Sequence, residues 1–261
     1  MKRTMKQLSI GRRALTSSLI LLGLSSLVAF ATISLEDSIT EPESGVQFAL
    51  SLEGKALCKD FTLPITQQAL DLADQVLMGV GVREKTIFGV DVYAMGLYVA
   101  PKRAKDKLAK WQGKTAKELQ SDSAFYDVLL KDPMPTTLRL VMCRDVDGDD
   151  MAEAFEDSLA PRMKGIIAAD SKAGSMEDLK SFRSFFDIDE VKDGVEMLFT
   201  WDTEGTLYTR VQGKPLGAIA SPALCRSLFD IYLGGKPISK SAKKSLVARF
   251  PELLKVSETT R

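Results

Sequence analysis

The order of apolar and polar positions separates an apolar N-terminal stretch from a longer body with a mixed pattern. In the body, alternating apolar residues over 46–50 predict a first strand. The stretch 63–77 is expected to hold a turn and a short helix. Residues 79–101 are rich in β-branched and aromatic residues and are interrupted by glycines, which predicts strands with a turn or bulge near Gly89.

Helical and extended patterns alternate less regularly further along the chain. Residues 101–120 are basic and helix-prone, with Leu108, Trp111 and Leu119 spaced to point inward. We interpret the basic positions as a solvated helix face, and an anionic-surface patch is the alternative. A strand is then predicted over 137–146.

Four apolar residues after this strand repeat at every fourth position, which is typical of a helix: Met151, Phe155, Leu159 and Met163. Asp149 or Asp150 is the expected cap of this helix. A second helical piece covers 175–187.

Two alternating strands, 195–202 and 205–213, come next. The last part, 221–254, reads as a helix stopped by two glycines, followed by a final helix capped by Ser239 or Ser241. This order, without a regular βαβ repeat, predicts an α+β domain with a mainly antiparallel sheet and helices covering one face.

The first 35 residues have the pattern of a targeting or membrane-anchor segment. Five basic and no acidic residues lie in 1–34, and no charged residue occurs from Ala14 to Leu35. A cleaved leader, with cleavage near Ala31, and a retained membrane anchor are both consistent with this pattern. Organelle import, to a mitochondrion or plastid, and export also remain open. Residues 36–44 are interpreted as a polar linker, and 45–255 as the folded domain.

Composition excludes several kinds of chemistry. The chain has no histidine, so it supplies no imidazole base and no histidine ligand for a metal or haem. Its three cysteines are far apart and are expected to be small buried hydrophobes, and we expect no metal and no cofactor. The charges sum to zero overall, and without the basic N-terminal stretch the body is mildly acidic, which argues against a nucleic-acid partner.

An acidic run near residue 150 resembles a calcium loop only superficially. Asp145, Asp147, Asp149 and Glu156 fall at loop positions 1, 3, 5 and 12, but Asp150 stands where such a loop needs glycine. We interpret the run as an acidic turn that caps a helix.

Arg83 and Tyr93 are the most informative polar pair. If the chain turns at residues 89–91, Arg83 faces roughly Gly96, and its offset to Tyr93 is about three residues, or about 10 Å. Two long side chains at that separation can converge on one small anion, because a guanidinium offers two parallel donors to a carboxylate and a phenol adds a third. On this pattern alone, a surface arginine beside a tyrosine at the core edge is the alternative.

Three stretches in this order resemble the chalcone isomerase fold family: GVGVREKTIFGVDVYAMGLYV, TLRLVMCRDVDGDDMAEAFEDSLAPRM and SPALCRSLFDIYLGGKPISKSAKKSLV. The resemblance covers about residues 45–253. It implies an open-faced β-sandwich in which a large antiparallel sheet carries helices on one face and a ligand cleft lies between them. The family contains enzymes that cyclise chalcones to flavanones and non-catalytic relatives that bind fatty acids.

Carried over residue by residue, the resemblance places Arg83 at the cleft arginine shared by enzymes and binders. Tyr93 stands where the enzymes have threonine and the fatty-acid binders have tyrosine. The enzymes also have a tyrosine and an asparagine on the central helix, where this chain has Met151 and Ser158.

These departures favour a non-catalytic protein that binds a fatty acid or a similar amphipathic carboxylate. The expected ligand-binding residues are Arg83, Tyr93, Met151, Phe155, Ser158 and Leu224. The alternative is an intramolecular lyase of the chalcone–flavanone isomerase type, and a third class is an interaction or haem-associated protein of the same fold. A membrane is a further expected partner if the N-terminal segment is retained, and the sequence leaves the oligomeric state open.

Overall fold

The structure is a computed structural model that describes residues 37–61, 72–84, 91–132 and 134–255. Within these ranges the strands are β1 (Ser38–Thr40), β2 (Gln47–Ala49), β3 (Ser51–Leu52), β4 (Gln75–Glu84), β5 (Asp91–Val99), β6 (Thr136–Met142), β7 (Val146–Asp147), β8 (Glu190–Val191), β9 (Glu196–Trp201), β10 (Thr206–Val211) and β11 (Lys214–Ala220). The α-helices are α1 (Gly54–Cys58), α2 (Pro101–Lys107), α3 (Ala116–Ser121), α4 (Ser123–Lys131), α5 (Gly148–Ala169), α6 (Met176–Arg183), α7 (Pro222–Leu233), α8 (Lys240–Ser245) and α9 (Phe250–Leu253). Short 3-10 turns follow α2 at Ala109–Trp111 and α6 at Ser184–Phe186.

A seven-stranded antiparallel sheet forms the centre of the fold. Its strand order is β11-β10-β9-β6-β5-β4-β3, and each of its neighbouring pairs is antiparallel. Together with the helices it forms an α+β fold, as the sequence predicts. Two small sheets, β1-β2 and β7-β8, lie outside it.

One face of this sheet is covered by helices. Alternate residues of the central strands, such as Met95, Leu140 and Phe199, are completely buried in the same apolar cluster as the inner residues of α4 to α8. The strand period of two and the helix period of 3.6 residues each place an apolar stripe in this layer. The predicted apolar stripe of α5 is buried along its length, with Leu159 and Met163 fully covered.

The opposite face is covered by elements from the N-terminal part of the body. Phe48 of β2 is fully buried there against Tyr98 and Val141. The short helix α1 packs against Leu198, so a helix also lies on this side. The Tyr98 hydroxyl donates a 3.0 Å hydrogen bond to the Ala49 carbonyl, which ties β2 to the sheet.

Two glycines of β4 allow helix α8 to lie directly on the strand. A Cβ atom at Gly79 would stand 1.9 Å from the Ser245 carbonyl oxygen, and one at Gly81 would stand 3.0 Å from the Cα of Ala242. Since any side chain at these positions would separate the two backbones, the glycines set how closely α8 approaches. This contact also places the segment before α8 beside the end of β4.

Several local predictions hold and others need correction. Leu108, Trp111 and Leu119 are buried, and the Ser239 side chain caps α8, as expected. The helix α5 is instead capped by Asp147, whose carboxylate accepts from the backbone amides of the next two aspartates, because the helix already begins at Gly148.

The predictions for the first part of the body also differ from the structure. Within the segment interpreted as a linker, Ser38–Thr40 pairs with Gln47–Ala49 as an antiparallel strand. Residues 75–77 belong to β4 rather than to a helix. The strand predicted from residue 79 onwards therefore begins four residues earlier, at Gln75. The turn expected near Gly89 and most of the predicted 63–77 helix lie outside the described residues.

None of the helices in the described ranges has the length and apolar character needed to cross a membrane. The predicted targeting or anchor segment, residues 1–35, lies outside the described residues, as does cleavage near Ala31.

Candidate functional site

A cleft lies where the ends of β4 and β5 meet the helix layer. It is lined by residues of the two strands, α5, α7 and the segment before α8: Arg83, Tyr93, Met151, Ala154, Phe155, Ser158, Ile231, Tyr232 and Ile238. Five of the six residues expected from the sequence are therefore brought together. The sixth, Leu224, is fully buried in the core and is not among the cleft residues in the described part of the chain.

The helix α5 supplies one wall. Met151, Ala154, Phe155 and Ser158 stand at positions i, i+3, i+4 and i+7, so they lie along one stripe of the helix. Phe155 also contacts three other phenylalanine rings at centroid distances between 5.1 and 5.8 Å, which fixes its position from behind.

Arg83 and Tyr93 are direct cross-strand partners. The predicted register was wrong, since Gly96 pairs with Val80 rather than with Arg83. That prediction placed Asp91 in the turn, whereas Asp91 is the first residue of β5 and pairs with Glu84. The alternation of side chains does not fix which residues face each other across a hairpin, and the correct register brings the two groups closer than expected.

The polar end of the cleft is a chain of three groups. The Arg83 Nη1 atom donates to the Tyr93 hydroxyl at 3.3 Å, and the Tyr93 and Tyr232 hydroxyls are hydrogen-bonded at 3.1 Å. Both tyrosines are 2% exposed, and Arg83 is half-buried. No ion pair joins Arg83 to a carboxylate of the described residues.

Burial keeps the Tyr232 phenol neutral. Desolvation raises its pKa well above the usual value, and the nearby Tyr93 phenol raises the pKa further. A neutral phenol retains its proton and is able to donate a hydrogen bond to an anion. The polar end thus combines a fixed positive charge with two hydroxyl groups.

Tyr232, Ile231, Ile238 and Ala154 were not predicted as cleft residues. The sequence signal for Tyr232 is a tyrosine within the mainly apolar stretch LFDIYL of a predicted helix. A buried tyrosine hydroxyl needs a polar partner, which makes such a residue a candidate for a polar site.

The remaining space in the cleft is small. The centre of a water molecule can move through only about 10 Å³ of it, which is the room that one water needs. The described part of the chain also contains no cluster of three or more acidic, cysteine or histidine residues placed to hold a metal.

Comparisons with known proteins identify the family. A family model described as "Chalcone isomerase like" matches residues 73–247, about two thirds of the chain. The chain is 28% identical to fatty-acid-binding protein 1 of Arabidopsis thaliana, over 85% of this chain and 74% of that protein. It is 29% identical to the chalcone–flavanone isomerase of Oryza sativa subsp. japonica, over 70% of this chain and 82% of that enzyme.

A solved structure agrees with these relatives. The crystal structure of the Arabidopsis thaliana fatty-acid binding protein superposes with a TM-score of 0.65 at 26% identity, covering 83% of this chain and 98% of that one. The sheet, the helix layer and the cleft between them are thus found in a chain that belongs to the chalcone isomerase-like family.

Proposed function

We propose that this protein binds a fatty acid or a similar amphipathic carboxylate in the cleft and does not catalyse a cyclisation. The observation that carries the proposal is the polar end of the cleft. There Arg83, Tyr93 and Tyr232 meet at one end of a cavity whose other walls are mostly apolar.

The three polar groups suit a carboxylate head group. The Arg83 guanidinium lacks a carboxylate partner among the described residues, and it offers parallel N–H donors to two carboxylate oxygens. The Tyr93 hydroxyl lies beside it and supplies a further donor once it turns from its present partner. The desolvated surroundings strengthen such a charge-assisted contact.

The rest of the cleft suits an acyl chain. Met151, Phe155, Ile231 and Ile238 present aliphatic or aromatic surface, and methionine adapts its shape readily. Because the cleft now holds about one water, an acyl chain requires it to widen.

The wall that carries Ile238 is held by only a few polar contacts. Arg162 of α5 donates to the Lys236 carbonyl at 2.9 Å and pairs with Asp230 at 2.8 Å, and the Ile238 amide donates to the Ile231 carbonyl. We therefore place the opening at the segment between α7 and α8.

Two positions argue against a chalcone isomerase activity. Where the resemblance implies a tyrosine and an asparagine in the enzymes, this chain has Met151, which offers no hydrogen-bond donor, and the shorter Ser158. A donor that stabilises developing oxyanion charge contributes about 3 kcal/mol at comparable sites. The change at Met151 therefore removes one such stabilisation of the transition state, and the shorter Ser158 hydroxyl does not reach as far as the asparagine amide that it replaces.

Native mass spectrometry and organic extraction of the full chain test the binding proposal. We expect a fatty acid to be retained by the parent protein and lost in Arg83→Gln. Arg183→Gln is the matched control, since Arg183 pairs with Glu156 on the exposed side of α5 and does not line the cleft. Equal fatty-acid retention by Arg83→Gln and the parent would contradict the role of Arg83.

The relation to chalcone–flavanone isomerases keeps an intramolecular lyase as the second candidate. Steady-state cyclisation of a chalcone separates the two functions when the parent, Arg83→Gln and buffer are compared. We expect the parent to match buffer. A rate well above buffer that depends on Arg83 would establish the lyase instead.

We also propose that residues 1–35 direct or anchor the protein at a membrane-bounded compartment. Intact mass of the protein recovered from its own cells distinguishes the alternatives. A mass that begins near residue 32 indicates a cleaved leader, the full mass indicates a retained anchor, and recovery of the full chain in a soluble cytosolic fraction would contradict both.

A further inference from the structure

A second cleft opens elsewhere on the described surface and shares no lining residue with the first. Its walls come from the end of α4, the segment after α5, the connection from β9 to β10, and the first turns of α7. The centre of a water molecule can move through about 250 Å³ of it, far more than in the first cleft. This volume is sufficient for a small ligand.

Two buried N–H groups among the residues that line this cleft lack an acceptor. They are the indole nitrogen Nε1 of Trp201 and the Nε of Arg226, and Trp201 is only 2% exposed. Most buried N–H groups in proteins have an acceptor. Among the described residues the Nε atoms of Arg144 and Arg210 also lack one, but only Trp201 and Arg226 line this cleft. The other tryptophan shows the usual situation, since the Trp111 indole donates to Asp122 at 2.7 Å.

Cationic side chains outnumber carboxylates by three to two among the residues that line the cleft. Lys131, Lys172 and Arg226 contribute three cations, and only Lys131 takes part in an ion pair among the described residues, with Asp127 at 3.1 Å. The two acidic residues of the rim are partly engaged with their own loops. Asp170 accepts from the Lys172 backbone amide at 3.0 Å, and Glu204 accepts from the hydroxyl of its neighbour Thr203.

We propose that this second cleft binds a small oxyanion, either a carboxylate or a phosphate group. An oxyanion at pH 7 provides only acceptors, which is what unpartnered donors require. Arg226 would hold it through its guanidinium, and Lys172 would contribute charge at the rim. Neighbouring atoms cover the Trp201 indole N–H in this structure, so it would donate to the anion after a local shift of side chains. The site is independent of the proposed fatty-acid cleft.

The two tryptophans allow a direct test in the full chain. With ¹⁵N-labelled tryptophan, the NMR spectrum has two indole signals, and the one missing from Trp201→Phe belongs to Trp201. Inorganic phosphate and acetate are titrated separately at pH 7, with sodium chloride at matched ionic strength as the reference. We expect the Trp201 signal to move in a saturable way while the Trp111 signal stays fixed. The ratio of the two affinities shows which oxyanion is preferred.

The variants Arg226→Gln and Arg183→Gln complete the test. We expect Arg226→Gln to lower the affinity for the oxyanion at least tenfold and Arg183→Gln to leave this affinity unchanged. A Trp111 signal at the same position as in the parent shows that each variant is folded. The proposal is overturned if the Trp201 signal does not respond to either oxyanion or responds equally to chloride. An affinity that is the same in Arg226→Gln and the parent would also overturn it.

Discussion

Gly79→Ala tests how closely α8 approaches β4, and Gly165→Ala, inside α5, is its control. We expect the two substitutions to have opposite effects on stability. In Gly79→Ala the new Cβ would lie 1.9 Å from the Ser245 carbonyl oxygen and within 3 Å of two Leu246 backbone atoms. Because these are backbone atoms, no rotamer change relieves the overlap, and α8 has to move outward by about 1 Å or more to restore an ordinary contact distance.

The expected magnitude follows from what α8 buries. Ala242 of α8 is 4% exposed, and Leu246 and Val247, which directly follow the helix, are fully buried. Lifting the helix therefore weakens several apolar contacts at once. Overpacking costs about 1–3 kcal/mol, and a 1.9 Å approach to a backbone oxygen belongs at the upper end of that range. The lower entropy of the unfolded alanine chain offsets about 0.4–1 kcal/mol of this cost. We expect Gly79→Ala to lower the free energy of unfolding by about 2 kcal/mol.

Gly165→Ala is the matched control. Gly165 lies inside α5, is exposed, and would place its new Cβ at least 4 Å from any neighbouring atom. Alanine is favoured over glycine inside a helix by about 0.5–1 kcal/mol, so this variant should be more stable than the parent.

Urea unfolding followed by far-ultraviolet circular dichroism measures both variants. We expect the two unfolding midpoints to move in opposite directions. The slope of the unfolding free energy against urea concentration should change little. If Gly79→Ala stays within about 0.5 kcal/mol of the parent, α8 does not rest on β4 as closely as the structure shows, and the argument for its position beside the cleft fails.

Three further substitutions or conditions have defined outcomes. Removing the α5 cap with Asp147→Ala should cost about 0.5–2 kcal/mol in urea unfolding, whereas an unchanged midpoint would mean that the cap contributes nothing. Phe182→Ala should cost about 3–5 kcal/mol, because this fully buried ring contacts four other phenylalanine rings, and a loss below 1 kcal/mol would contradict that packing. Burial raises the pKa of Tyr98, Tyr208 and Tyr232 above the usual value near 10, so above pH 10 the unfolded chain releases phenolic protons that the folded chain keeps. Stability should therefore fall as pH rises above 10, by up to about 1.4 kcal/mol per pH unit for each phenol, and equal unfolding free energies at pH 9 and pH 11 would refute this.

The main elements were predictable because they depend on local patterns. The four-residue spacing that begins at Met151 identifies α5, and the Ser239 cap identifies the start of α8. The strand pattern of 79–101 identifies β4 and β5, and their order in the chain indicates an antiparallel sheet with helices. The start of α5 was misplaced by a few residues, since neighbouring aspartates are nearly equivalent as caps.

The cleft was predictable only in part. The sequence analysis selected Arg83 and Tyr93 as a polar pair, and their side chains are hydrogen-bonded in the structure. The resemblance to a family, rather than the residue pattern, made them the preferred site. Leu224 lies seven residues before Ile231, about 10 Å away along α7, and is buried in the core rather than among the residues that line this cleft.

The sequence by itself determined the fold class, many of the elements, the apolar stripe of α5 and the absence of imidazole chemistry, since each depends on near neighbours or on composition. It did not indicate α4 or β11. Only the tertiary structure decided which side chains meet. The direct pairing of Arg83 with Tyr93, the hydrogen bond between the Tyr93 and Tyr232 hydroxyls, and the cleft around Trp201 join residues from different elements. Such contacts depend on strand register and helix packing, which a two-residue or 3.6-residue period leaves unspecified.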